Sequence, residues 1–353
     1  MEHKKLGDIA TYVNGYAFKP EDRGTKGLPI IRIQDLTGNS YDLGFYNGEH
    51  PKKIELNNGD ILISWSASLG VYEWNRGKAL LNQHIFKAVF DKLDVNKKYF
   101  VFAVKYNLKE MEKRTHGATM KHITKKDFDN VLVPFPPLNK QQEIAATLDK
   151  LQSIITHRRT QLEKLDLLVK ARFVEMFGEP ILNEKGWNMV TIGDIVTEVK
   201  YGTSKPAVEG GKYPYLRMNN LTYDGHLDLT NLKMIDIPDS EIEKCIVHRG
   251  DVLFNRTNSI ELVGKTCVFD KDEDMVIAGY IIRVRLKSIM LPIVLSYFMN
   301  TDALKKKLRN MAKGAVNQAN INAQEFKSIN IYLPPIELQT QFADFVKQVD
   351  KSR

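Results

Sequence analysis

A chain of 353 residues that is 43% hydrophobic and 27% charged has an ordinary globular composition, enough length for two or three domains, and no compositional case for disorder. Its longest apolar stretch, around 289–299, is broken by Pro292 and Ser296 and falls short of the ~20 residues that span a bilayer, while Cys245 and Cys267 stand too far apart for a zinc knuckle or a disulfide framework. The net charge of +8 permits nucleic-acid binding without establishing it; no apolar signal core follows Met1-Glu2-His3-Lys4-Lys5, so the cytoplasm is the default compartment.

Taken in order, the chain repeats itself. Leu6-Gly7-Asp8-Ile9 returns as Ile192-Gly193-Asp194-Ile195, a shift of 186. The run from Pro29 to Thr37 returns between Pro214 and Thr222, with Pro, Arg, Leu and Thr in register. Gly59-Asp60-Ile61-Leu62 matches Gly250-Asp251-Val252-Leu253, and Gly117-Ala118 matches Gly314-Ala315. Ile123, Phe128, Pro136-Pro137 and Gln141 match Ile321, Phe326, Pro334-Pro335 and Gln339, all at a shift of 198. The shift grows in small steps, as loop insertions produce, and a period this long means two copies of one domain rather than a solenoid.

Within the first copy, strands are predicted at 28–33, 60–64 and 131–135, with a helix over 95–112. The second copy places strands at 213–218, 251–255 and 329–333 and a helical pattern at 291–311. The domain is therefore mixed α+β. Between the copies, residues 138–177 contain no proline or glycine, and apolar residues at Ile144, Leu148, Leu151, Ile155, Leu162, Leu165, Val169 and Met176 follow gaps of 4, 3, 4, 7, 3, 4 and 7. That heptad seam predicts one coiled-coil-type helix of ~60 Å, longer than a domain of this size is wide; Gly178 and Pro180 end it. Its alternative is an amphipathic helix lying on a globular core. The predicted division is 1–137, 138–178, 179–335 and a short helix start at 336–353.

Charge is unevenly distributed. Residues 1–137 carry 21 Lys/Arg against 16 Asp/Glu, whereas residues 179–335 carry 20 against 19. Electrostatic adhesion alone would be basic throughout, so recognition by the second copy must use local contacts. No constellation for catalysis emerges. Gly264-Lys265-Thr266 resembles the end of a phosphate loop, but Ser259 stands where its first glycine belongs. No Gly-x-Gly turn follows a strand, no His-x-x-x-His pair offers a metal site, and Gly-x-Ser-x-Gly is missing. The acidic run 270–274 has the wrong spacing for a calcium loop. No cofactor and no metal are expected.

Residues that could contact bases fall at matching places. Arg32 with Gln34 and Arg217 with Asn219 carry the side chains that pair with guanine and adenine edges; pairing with a nearby acid to brace the fold is the alternative. The Gly-Asp strands lead into different polar loops, with Ser64, Trp65 and Ser66 in one and Asn255, Arg256, Thr257 and Asn258 in the other. Shared strands with dissimilar loops suit one scaffold holding two recognition surfaces, although turn chemistry also enriches Ser and Asn. Near the Gly-Ala repeat stand Lys121 and His122, against Asn317, Gln318 and Asn320. The amides favour base reading over phosphate contact; capping the next helix is the other reading.

The tandem domains, Pro136-Pro137-Leu138 with Gln141-Gln142-Glu143-Ile144, the run 171–180 ending Met176-Phe177-Gly178-Glu179-Pro180, and Asn183-Glu184-Lys185-Gly186-Trp187 together resemble the specificity subunit of type I restriction–modification enzymes. Asn82-Gln83-His84 and the stretch 250–259 add to the likeness. The resemblance implies two target-recognition domains, each reading half of a split asymmetric site in double-stranded DNA. It implies docking of two methylation subunits, which carry S-adenosylmethionine, and of restriction subunits, which use ATP, with Ile144, Leu148, Leu151, Ile155, Leu162, Leu165 and Val169 as the docking seam. It implies no catalysis by this chain and no membrane. About 18 residues follow Pro335, where the family pattern has a second helix as long as the first. A tail packed antiparallel would reach the Phe173 end, where an inserted turn should be better tolerated than near Ile144. A non-DNA scaffold bridging two partners through the helix is the competing reading.

Overall fold

A computed structural model describes residues 2–39, 42–113, 122–315 and 318–353, with backbone alone at 109 and 313–315. The chain forms two compact units, 1–158 and 159–353.

The first unit holds an antiparallel sheet in the order Thr11–Asn14, Ile85–Val89, Asp60–Ser64, Gly70–Trp74. A second sheet runs Phe45–Tyr46, Leu28–Ile31, Ala79–Leu81, Glu55–Leu56, with its middle pair parallel. The second unit repeats both. Its first sheet runs Val196–Tyr201, Ile281–Leu286, Val252–Asn255, Thr266–Val268. Its second runs Lys233–Ile235, Tyr213–Leu216, Met275–Ile277, Ile246–Val247, again with a parallel middle pair. Strand order and polarity thus carry the duplication that the sequence spacing indicated.

Shared residues have shared mechanical causes. Gly59 and Gly250 take φ of +86° and +95°, a region costly for a residue with a Cβ. The aspartates that follow accept from backbone: Asp60 from Asn57 N at 2.9 Å and Asp251 from His248 N at 2.9 Å. Gln141 and Gln339 are both fully buried. Gln141 accepts from Asn96 N (3.0 Å) and donates to the Pro136 carbonyl (2.8 Å); Gln339 accepts from Leu291 N (2.8 Å) and donates to the Pro334 and Ile289 carbonyls. Each helix start is pinned to its own domain by one amide, which explains the spacing of that glutamine after the proline pair.

The predicted spacer helix is continuous over Leu138–Phe177, 40 residues. Ala145 joins the first unit's core and Ile144 packs against it, while Val169, Phe173 and Phe177 belong to the second unit's core. The division between units consequently falls inside the helix. The helix Ile336–Asp350 lies antiparallel to the last turns of the spacer. Phe342 meets Phe173 and Phe177, each with ring centroids 5.5 Å apart, and Arg172 lies 5.8 Å from the Phe345 ring. Arg353 reaches Asp166. This corrects one expectation: the Phe173 end is tightly packed core, so an added turn there disrupts side chains that are 0–1% exposed.

Predicted elements differ from those observed at several places, and the strand 213–218, like its counterpart 28–33, stops two residues early, at Leu216. The strand 28–33 ends at Ile31, because Asp35 accepts from Arg32 N at 2.7 Å and opens a helix at Ile33. The helical pattern 291–311 divides into Pro292–Met299 and Asp302–Met311.

Candidate nucleic-acid interface

In the first unit, strands Thr11–Asn14, Asp60–Ser64 and Ile85–Val89 bring three backbone segments to one end of the sheet. Ser64 pairs with Ile85 and Asn14 with Phe86. Trp65 N donates to His84 O (3.2 Å), Ile123 N donates to Trp65 O (3.0 Å), and Ser66 bridges to His122. The second unit repeats these bonds: Arg256 N donates to Tyr280 O (2.9 Å), Ile321 N to Arg256 O (2.9 Å), and Thr257 pairs with Asn320. Gly15 N donates to Ile85 O (3.2 Å) as Gly202 N does to Ile281 O (3.1 Å). Both glycines are enforced by close approach, since a Cβ would lie 2.0 Å from Asn82 O at Gly15 and 2.2 Å from Ile277 O at Gly202.

One frame therefore presents two chemistries. Trp65 corresponds to Arg256, Ser66 to Thr257, His84 to Tyr280, His122 to Asn320, and Asn14 to Tyr201. Trp65 donates from its indole to Asn14 Oδ1 (3.3 Å) and packs against His84 and Phe86. Arg256 lies over the Tyr201 ring, 4.9 Å from its centroid. Asn14, Tyr201 and Tyr280 were not singled out from sequence, and His84 entered only through the Asn82-Gln83-His84 likeness. Gly15 and Gly202, which lie between the first two repeat matches at a nearby shift of 187, are the signal that would have led to Asn14 and Tyr201.

Several expected contact residues also make bonds within the fold. Arg32 Nε meets Asp35 at 3.3 Å and its terminal nitrogen donates to the Asp42 carbonyl; Arg217 donates to the Asn231 carbonyl at 3.1 Å. Both arginines tie a turn to the next loop; Arg32 meets the acid that its structural reading called for, whereas Arg217 meets a carbonyl. Ser64 is buried and donates to Ser68 O at 2.5 Å. Asn255, also buried, donates to the Thr257 and Tyr280 carbonyls. The last residue of each strand points inward and closes its own loop, so Ser64 and Asn255 present no free edge. Asn258 donates to Asn255 Oδ1 (2.7 Å), and Thr257 donates to Asn320 Oδ1 (2.8 Å).

Exposed amides remain at Gln34, Asn219 and Gln318. Asn219 sits on a turn held by Lys265, which is 6% exposed and donates to Met218 O at 2.6 Å; burial lowers the Lys265 pKa from the ordinary lysine value. Lys121 and Asn317 lie outside the described residues.

Of the spacer seam, Val169 is fully buried, which removes it from any docking surface. Ile144 and Leu165 pack against the cores of their units, and Leu148 is half-buried. Leu151, Ile155 and Leu162 stay 40–50% exposed, within a stretch, 150–164, where every residue is exposed. No described helix is long and apolar enough to cross a membrane. A cavity of about 450 Å³ in the second unit is lined by Lys170, Phe173, His226, Tyr297 and Asn300 among others; none of the loop-cluster residues lines it. Asp166, Asp224 and His226 lie within 4.8 Å of one another, a juxtaposition the sequence did not signal, with Arg353 already paired to Asp166.

Comparison with known proteins gives a consistent result. The family described as type I restriction modification DNA specificity domain matches residues 1–165 and again 184–353. The specificity subunit of the type I restriction enzyme EcoBI of Escherichia coli is 24% identical over 377 residues, covering 98% of this chain and 78% of that protein. The EcoKI specificity subunit of Escherichia coli K12 is 25% identical over 375 residues, covering 98% and 81%. Among solved structures, the S subunit of a type I restriction–modification system from M. genitalium superposes with a TM-score of 0.57 at 16% identity, covering 99% of this chain and 89% of that one. The chain belongs to the type I restriction–modification DNA specificity family and carries that family's domain twice.

Proposed function

We propose that this chain is the sequence-recognition subunit of a type I restriction–modification complex, reading a bipartite asymmetric site in double-stranded DNA with one domain per half-site. The observation that carries the reading is the repeated frame of backbone hydrogen bonds, which holds Trp65, Ser66 and His122 in one unit and Arg256, Thr257 and Asn320 in the other. Identical scaffolds with dissimilar side chains suit two different half-sites; a symmetric site would need matching ones. Gln34, Asn219 and Gln318, exposed and polar, supply further base-edge capacity.

The exposed stretch 150–164, with Leu151, Ile154, Ile155 and Leu162, is the docking surface for methylation subunits, two per complex, to which restriction subunits add. Methylation and DNA translocation then reside in the partners, and this chain contributes the address.

The test is co-expression with the cognate methylation subunit, followed by mapping of methylated positions in the host genome. Two short specified blocks separated by an unspecified gap are expected, and the isolated chain should transfer no methyl group from labelled S-adenosylmethionine. A continuous motif would remove the one-domain-per-half-site assignment. Duplex binding that neither weakens with salt nor depends on sequence would favour the bridging-scaffold reading.

A further inference from the structure

Arg256 differs from the other arginines brought to attention by the repeat. Arg32 and Arg217 spend donors on backbone carbonyls. The Arg256 guanidinium makes no hydrogen bond or ion pair with any described residue, and its Nε is buried without a partner. The Nε atoms of Arg172, Arg217 and Arg283 are buried without a partner as well, but each of those guanidiniums donates from a terminal nitrogen, so it is the wholly unspent guanidinium that sets Arg256 apart. Its Cζ is nevertheless placed over the Tyr201 ring, 4.9 Å from the centroid. The Tyr201 ring is fixed at its far end, because its hydroxyl accepts from Ala323 N at 2.8 Å. The Arg256 backbone is fixed as well, by Tyr280 O on one side and Ile321 N on the other. An arginine with a braced backbone, a head placed over a ring and unspent donors is pre-organised for a planar acceptor pair.

We propose that Arg256 reads a guanine in the half-site of the second domain, with Tyr201 as the positioning residue that sets its plane. Guanine presents O6 and N7 as adjacent acceptors in the major groove, the geometry that an arginine fork matches. Phosphate would also accept, but a backbone contact carries no sequence information, and that difference is the basis of the test. The equivalent position in the first unit is Trp65, whose single donor is directed to Asn14. It has no fork to offer, so the two half-sites differ in chemistry at corresponding places. This inference rests on the DNA-recognition reading above and narrows it to one base and one residue pair.

The experiment uses the full chain co-expressed with its methylation subunit, with motifs mapped for wild type, Arg256→Lys, Arg256→Ala, Tyr201→Phe and Tyr201→Leu. Arg256→Lys keeps the charge and loses the fork. It should relax one guanine position, on the order of tenfold or more in discrimination, while the other block stays unchanged and affinity for non-specific duplex is retained. Tyr201→Leu should relax the same position, and Tyr201→Phe, which keeps the ring but loses the bond from Ala323 N, should relax it less. Purification of each variant in complex with the methylation subunit, at wild-type yield, controls for folding. Guanine discrimination unchanged in Arg256→Lys overturns the assignment while leaving the bipartite reading intact, and uniform weakening across sequences makes Arg256 a phosphate contact. Absence of a bipartite motif in wild type, with the complex assembled, overturns both.

Discussion

Lys305 shows how much of this protein's chemistry is set by burial rather than by residue type. It lies on the helix Asp302–Met311, is 5% exposed, sits 3.5 Å from the Tyr223 ring centroid and donates to the Tyr223 carbonyl. Desolvation, helped by nearby Lys170, lowers its pKa to about 8 from 10.5. Between those two values the unfolded chain binds more protons than the folded one, so stability rises with pH across that window. The gain is on the order of 2–3 kcal/mol by the linkage relation. Lys305→Met should flatten this rise, measured as denaturant unfolding of both proteins at pH 7.5, 9 and 10; parallel profiles would contradict it. Position in the sequence gave no hint of this burial, just as it gave no means of choosing between the two readings of Arg32 and Arg217. Which acceptor a guanidinium meets is decided by a loop a dozen residues away, beyond any local pattern.

The elements were more legible than the residues. The spacer helix was readable end to end because nothing in 138–177 breaks a helix and a glycine with φ of +83° follows it. Failures came where a side chain caps locally, as Asp35 does for the strand at 28–31, since capping competes with extension over only three residues. The heptad seam was read as one uniform surface, yet its ends are core and its middle is bare. That difference fixes where the helix can be lengthened. Four residues inserted within 154–160 add about 6 Å, roughly one turn, without displacing a packed side chain. The unspecified gap should widen by a base pair or two with both blocks unchanged, read from the methylation map. The same insertion beside Phe173 should instead lower the unfolding midpoint, because Val169, Phe173 and Phe342 would lose register. If the complex carrying the lengthened helix methylated the original gap as well as the parent complex does, the helix would not be what sets the gap.

For the molecule as a whole, duplication was the most legible feature, since each copy needs the same glycines, aspartates and buried glutamine to make the same turns. What each copy would touch was less so, because the loops that differ are those with no repeat to check them against. The charge record agrees with this division of labour. With a net +8 concentrated away from 179–335, the proposed reading requires the second unit to rely on local contacts such as the one proposed for Arg256. The bare stretch 150–164 also has a consequence in time. Its backbone bonds are ordinary helical ones and every side chain over them is exposed, so opening them uncovers little buried surface and costs little free energy. Amide hydrogens there should exchange with solvent far faster than those around Ala145 or Phe173, giving one helix with two slow ends and a fast middle. Partner binding should slow that middle, so the isotope pattern of a single helix would report whether the subunit is alone or assembled.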